Sequence, residues 1–515
     1  MRKILKSAST WQIGAEFNRL RAVCRLEKFF FSFLLIAGLN ILVFSPALNH
    51  YFYGDDFPSL AQYQYKLPQL GPNDPSRLLF RPLFHATTYM EYVLFKTNCF
   101  LWNLAGLLMH LGVLFILLKL LRRLTSPAAA FFLAAGFSCG TLGSQAVTWA
   151  SANSYMPFFA GTFGLFYFLL SYAQNPNKAV FLKVFILASM CCFSYELGAL
   201  SALLSFFYLW RVDKICRRAA LMFLPIILYL ALYFIFNQAA LGAIHQYPHL
   251  TAPGQNLNQP RLITALTLAP FLIGWWLLGI LLPVSIVWGM PSKVGRLIFN
   301  VASPSFSFPY LLNFLIFVLI AALFLLALSK ARARKYAGLI VLVILSALFY
   351  VFAVAAGRGT VNGFDYTFRY NAYYVYLFSG YLVILAGALL EPAKFSAGIK
   401  KVAWGVSIIF VLLNAFYTFK LNYYLKAESK IFRQYSCYLA TFINAHKDET
   451  GFSFWVEHDK EIFFTSPSLS LAPLLCDPRY LNKKNPKYVL DMTESDFYKE
   501  YLREVAKPQK AWYNY

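Results

Sequence analysis

The chain has 515 residues, of which 59% are hydrophobic and 13% charged, and it carries a net charge of +24. Soluble globular chains carry about 25% charged residues. Half that share, a mean hydropathy of +0.54 and repeated apolar runs of about 20 residues exclude a soluble fold and describe an all-α protein that crosses a bilayer many times.

The positive charge is not a nucleic-acid footprint. Lys and Arg fall in short clusters between the apolar runs, where they set membrane orientation and meet anionic headgroups. Residues 1–28 are basic, with Arg2, Lys3, Lys6, Arg19, Arg21, Arg25 and Lys28 against Glu16 and Glu27, which predicts a cytoplasmic N-terminus. The first apolar run goes from Lys28 to about Leu48. It is too long, and starts too late, for a cleavable signal peptide, and reads as a retained first span. The loop 49–97 then faces outward. Its second part, Arg77–Phe95, mixes apolar residues with Arg81, His85 and Glu91 and reads as an interfacial helix.

Further spans are predicted near 99–118, 128–147, 157–173, 179–194, 197–210 and 219–236. Arg122, Arg123, Lys178, Arg211, Lys214, Arg217 and Arg218 mark inner turns. Residues 262–289 are apolar enough to span, but a span there would move the run Lys330–Lys335 outside. A segment that begins and ends outside keeps every later basic cluster inside, and Pro270 and Pro283 disfavour a straight helix. Four more spans, near 309–329, 336–356, 372–390 and 400–419, bring the total to about eleven. The organisation is a basic N-terminus (1–28), a membrane domain (29–419) and an outward-facing C-terminal domain (420–515). That tail holds 12 of the 22 acidic residues. An amphipathic helix over 424–446 and strand-like stretches at Gly451–Val456 and Glu461–Thr465 give it a small α/β character. Cys437 and Cys476 can pair there if the tail lies outside the cytoplasm.

Residues 1–419 contain ten acidic side chains, and under this topology six lie at the outer face: Asp55, Asp56, Asp74, Glu91, Glu196 and Asp365. Carboxylates near a membrane are costly and often functional. Asp55-Asp56 directly follows the first span. A carboxylate there can take a proton from an acceptor hydroxyl or hold a divalent metal ion; the plain alternative is a solvated turn. Glu196, at a tight outer turn, is a second candidate acid, and with Asp56 a candidate metal ligand. Arg81 and Arg369 can grip a phosphate bidentately, and His85 can donate to it. Arg369 stands on the face where positive residues are disfavoured, with Asp365 as a partner. Tyr155 and Tyr370 can line the site. Asn103 and His110 read as hydrogen-bonded bundle interior.

An acidic pair after the first span, Arg81-Pro82-Leu83, then Asn103 and His110 in the second span, Ser194-Tyr195-Glu196 in an outer turn and Arg369-Tyr370 late in the chain resemble the GT-C superfamily of membrane glycosyltransferases. The likeness is to the protein O-mannosyltransferase group, in particular the transmembrane members with tetratricopeptide repeats. It covers about residues 30–390. Here the repeats are missing, and Tyr195 stands where a Lys is usual. The resemblance implies a GT-C-like bundle with interfacial helices in its outer loops and a polyprenyl-phosphate-linked sugar donor. It also implies an acceptor glycan, lipid or protein on the outer face. Asp55 or Asp56 would be the base, with Arg81 and Arg369 on the lipid phosphate. Some relatives need a divalent metal and some do not. The lack of an Asn-x-Ser/Thr sequon leans toward a bacterial inner membrane, with the site on the periplasmic side.

Two other readings compete. A polysaccharide polymerase or O-antigen ligase also spans many times, but typically lacks an early acidic pair. A lipid or polysaccharide flippase would show related halves and polar residues near the midplane, whereas the acidic residues here lie toward one face.

Overall fold

The computed structural model describes residues 27–52, 56, 60, 81–212, 216–246, 269–270, 272–274, 276–277, 280, 318, 336–358, 373–389, 396–445, 453–455 and 489–491. Within them the protein is a bundle of apolar helices, six of which are long and apolar enough to cross a membrane. Helix α1 (27–44) runs into a 3-10 turn, Ser45–Asn49. Then come α2 (Pro82–Phe95), α3 (Cys99–Leu124), α4 (Pro127–Ser138), α5 (Met156–Gln174), α6 (Lys178–Ser194), α7 (Gly198–Val212) and α8 (Phe223–Gln246). After these follow α9 (Ala337–Arg358), α10 (Tyr373–Leu389) and α11 (Ala397–Ala445). Two short strands, β1 (Ser453–Trp455) and β2 (Val489–Asp491), pair in parallel.

Helix starts follow local chemistry. The Asn98 side chain accepts from Leu101 N, that of Ser126 from Ala129 N, and that of Asn177 from Val180 N, each satisfying a donor left open at a helix N-terminus. Pro82 and Pro127 occupy first-turn positions where a missing N–H costs nothing.

Three expectations change. The span expected over 128–147 is helical only to Ser138, with short helical turns following at Leu142–Ser144, Gln145–Thr148 and Ala150–Tyr155. Thr418 Oγ1 donates to the Cys139 carbonyl (2.7 Å), and Thr141 bonds Thr418 (3.0 Å), so α11 closes the end of α4. Gly143 packs on the Tyr376 backbone, where an added Cβ would sit 3.4 Å from Tyr376 Cα. The helix of the span expected over 219–236 extends to Gln246, because 237–246 carries no Pro and only one Gly. The span over 400–419 and the amphipathic helix over 424–446 are one continuous 49-residue helix, α11; from Val406 to Thr450 there is neither Gly nor Pro to stop it. The segments 262–289 and 309–329 fall largely or wholly outside the described residues.

The core is aromatic. Tyr376 on α10 stacks on Phe159 of α5 (4.8 Å) and meets Phe137 of α4 edge-on (4.8 Å). Gly380 lies against the Phe163 ring, leaving no room for a side chain. A polar chain threads this core. Asn40 Nδ2 donates to Ser138 Oγ (2.9 Å) and to the Ile36 carbonyl. With Asn40 Oδ1 therefore the acceptor, His110 Nε2 donates to it (3.1 Å), and the Tyr376 hydroxyl donates to His110 Nδ1 (2.7 Å). The expected interior role of His110 is what the geometry shows. The perimeter is apolar and exposed, with Phe31, Leu34, Ile227, Ile235, Val406 and Leu412 facing the lipid.

The helices give the bundle two unlike ends. Helices α3 and α7 finish in Arg122, Arg123 and Arg211, and α11 starts next to Lys400 and Lys401. The opposite end carries Asp56, α2, the turn at 150–155 and Glu196.

Candidate functional site

The site is organised by the 3-10 turn Ala150–Tyr155, whose consecutive polar residues each hold a different partner. Ser151 donates twice to Asp56 Oδ1, from its backbone N (2.7 Å) and from its hydroxyl (2.5 Å). Asn153 Nδ2 donates to Glu91 Oε1 (3.0 Å) and to the Trp102 carbonyl (2.9 Å). Thr88 gives its proton to the Phe84 carbonyl, so the Ser154 hydroxyl donates to Thr88 (2.5 Å). Tyr155 Oη accepts from Arg81 Nη1 (3.0 Å).

The partners are Arg81, the residue that caps the start of α2, and Phe84, Thr88 and Glu91 on α2 itself. Their spacing of three or four residues puts them on one helix face. Phe84 completes the contact, meeting the Tyr155 ring at 5.0 Å. That face is turned inward: Arg81, Thr88 and Glu91 are buried, while His85, Tyr89 and Met90 are exposed.

Arg81 is the most tightly held cation. Its Nε donates to Glu196 Oε1 at 2.6 Å, forming an ion pair. Its guanidinium lies 4.4 Å from the centre of the Tyr195 ring. Burial opposes the charge, while Tyr155, Tyr195 and Glu196 keep the guanidinium protonated. Nη2 has no hydrogen-bond partner among the described residues.

Glu91 is the least compensated carboxyl among the described residues. It is 5% exposed, and its Oε2 makes no hydrogen bond to any of them. Burial pushes its pKa up to about 8, and the charge of Asp56 adds to the rise against the Asn153 hydrogen bond. Asp56, by contrast, accepts two hydrogen bonds on one oxygen.

The first span is tied to the same end. Asn103 Nδ2 donates to the His50 carbonyl (2.9 Å), and His50 Nε2 contacts the Asn422 carbonyl (2.8 Å). Burial lowers the His50 pKa to about 4 despite the Asn422 and Thr148 carbonyls beside it, and Lys426 adds to the lowering.

Asp56, Arg81, Tyr155 and Glu196 are thus brought to one end of the bundle, linked through the turn and the Arg81–Glu196 pair. His85 is exposed, one turn along α2, with its ring edge-on to Phe84 (5.5 Å). Asp55, Asp365, Arg369 and Tyr370 lie outside the described residues. As a metal set, Asp56 and Glu196 are each already engaged, one by Ser151 and the other by Arg81. Among the described residues no three His, Cys, Asp or Glu side chains group to hold a metal ion. Sequence reasoning did not single out Ser151, Ser154 or Thr88 for the site, and it assigned Glu91 no role. The spacing of Arg81, Thr88 and Glu91 was a usable signal, whereas nothing in the sequence distinguished Ser151.

No family model matches the chain, and no curated protein matches it. Among solved structures it is similar to the crystal structure of ArnT from Cupriavidus metallidurans bound to undecaprenyl phosphate. The likeness covers 87% of this chain and 88% of that one, at 14% sequence identity and a TM-score of 0.44, a level that assigns neither family nor function.

Proposed function

We propose that the protein is a GT-C-type glycosyltransferase that moves a sugar from a polyprenyl-phosphate-linked donor to an acceptor hydroxyl on the outer face of the membrane. The observation that carries this reading is the turn Ala150–Tyr155, which holds a carboxylate, Asp56, and a buried cation, Arg81, from two points of the loop that follows the first span. Sugar transfer from a lipid phosphate needs those two charges close together: a base for the acceptor proton and a cation for the departing phosphate.

In the reaction, Asp55 or Asp56 takes the proton of the acceptor hydroxyl as its oxygen bonds to the anomeric carbon. The bond from that carbon to the phosphate oxygen breaks, and the electron pair leaves with the polyprenyl phosphate. Arg81, through Nη2, and Arg369 receive that negative charge. Glu196 and Tyr155 hold the Arg81 guanidinium in a fixed plane, so less freedom is lost when the phosphate binds. The membrane orientation, the about eleven spans and the outer C-terminal domain belong to the same reading.

The test is sugar transfer by the protein reconstituted in membranes, with a panel of polyprenyl-phosphate sugars and separate Asp55→Asn and Asp56→Asn variants. Transfer that collapses in one folded variant establishes the class and identifies the base. Transfer untouched by both removes this loop from the chemistry.

A further inference from the structure

Helices α1 and α4 both start at the basic end and run side by side. They meet at Asn40 and Ser138, which are hydrogen-bonded (2.9 Å). Towards the basic end an open cavity of about 480 Å³ lies between them, within the ~300–1,000 Å³ range of small-molecule sites. Its walls are apolar, formed by Phe31 and Leu35 from α1 and by Ala128 and Phe131 from α4, and Lys28 and Arg122 stand among its lining residues.

The two cations are what distinguish this groove from an ordinary gap between helices. Arg123, next in sequence, is already occupied, donating to Ser171 Oγ and lying 4.2 Å from the Tyr167 ring. Among the described residues Arg122 has only the face of Phe29, at 5.4 Å. Among the described residues, neither Arg122 nor Lys28 has a carboxylate within ion-pair distance. Glu27 also lines the cavity and is exposed, which leaves the mouth with a net positive charge. A cationic mouth over an apolar trough matches a molecule with one anionic group and long hydrocarbon chains, and the basic end of a bundle lies at headgroup depth.

We propose that the groove between α1 and α4 binds one anionic phospholipid, its phosphate against Lys28 and Arg122 and an acyl chain along Phe31, Leu35 and Phe131. The site faces the membrane leaflet opposite to Asp56 and Arg81 and is separate from the donor site. The lipid bridges the starts of α1 and α4 and supplies Arg122 with a counter-charge that none of the described residues gives it.

The test uses the purified full-length protein in detergent, stripped of lipid. Retention of phosphatidylglycerol and phosphatidylcholine is read by native mass spectrometry, and thermal stability is measured with each. Wild type retains phosphatidylglycerol roughly tenfold more than phosphatidylcholine and melts at a higher temperature with it. The Lys28→Ala/Arg122→Ala variant loses that preference and keeps its lipid-free melting temperature. Ala128→Trp, which fills the trough and leaves the charges in place, retains neither lipid. Arg123→Ala, which removes a neighbouring cation outside the groove, keeps the preference. Equal retention of the two lipids by wild type overturns the proposal. So does an undiminished preference in the double variant, or a loss with Arg123→Ala as complete as with the double variant.

Discussion

Arg81 and Arg123 are the same side chain at opposite ends of one bundle, and they are held differently. Arg123 is exposed, resting on a serine hydroxyl and a tyrosine ring with no carboxylate partner among the described residues. Arg81 is 8% exposed and carries an ion pair, a tyrosine hydrogen bond and a ring face. Water and lipid headgroups can satisfy the first, so its neighbours matter little. The second has been taken out of water, so every neighbour offsets part of its desolvation. The basic end holds its cations loosely, and the other end holds its buried cation through a network of fixed partners.

Substitutions at the two ends test that contrast. Arg81→Met leaves Glu196 without its partner and should cost about 3 kcal/mol, at the low end for a buried pair because the Glu196 side chain is 28% exposed. Thermal unfolding in detergent reads it directly, and a loss no larger than that of Arg123→Met would break the comparison.

A second expectation concerns pH. The folded pKa of Glu91, about 8, lies above its ordinary value of 4.5, so the native state holds the extra proton. The stability this contributes is complete below about pH 4.5, declines as pH rises and is gone above about pH 8. Glu91→Gln should flatten this dependence and stand above wild type on the alkaline side by on the order of 2 kcal/mol. Melting temperature followed across the range decides it, and an unchanged slope would mean that Glu91 does not carry the proton.

Smaller effects sharpen the picture. A Cβ at Gly106 meets the Asn153 side-chain oxygen and lies 2.9 Å from the Val147 carbonyl. Gly106→Ala should therefore cost ~1–2 kcal/mol and loosen the hold of Asn153 on Glu91, moving the Glu91 titration as well as the melting point. Thr418→Val removes the closing hydrogen bond of α4 and should cost ~1 kcal/mol. Arg123→Met should cost less than ~1 kcal/mol; a larger loss there would show that the basic end is built as tightly as the other.

Much of this was written in local pattern. The first two spans, the helices from Met156 to Val212 and the gathering of the basic turns at one end follow from hydropathy and charge. So did the placement of Asp56, Arg81 and Glu196 toward one face. What was not legible depends on contacts between distant residues. The end of α4 at Ser138 is closed by Thr418, 280 positions away from it, and no window of sequence contains both. The pairing of Arg81 with Glu196 is of the same kind: each residue was a candidate alone, and only folding shows that one neutralises the other. Ser151 was invisible because a serine in an outer turn is ordinary until Asp56 is placed against it. The continuity of α11 had a visible cause, the lack of Gly and Pro, but the change from apolar to polar composition near 420 suggested a boundary that the backbone does not observe.

Helix α11 has a mechanical consequence. At 1.5 Å per residue its 49 residues make a rod of roughly 70 Å, more than twice the ~30 Å thickness of a hydrocarbon core. Thr418 and Asn422 fasten it to Thr141, Val43 and His50 at the level of the site, and some twenty residues of the helix continue past that level. A force applied to the far end is therefore not absorbed in a flexible joint. The helix has no break between Thr418 and Ala445, so a displacement of its far half would be carried to the hydrogen bonds at Thr418 and Asn422 and, through Asn422, to His50.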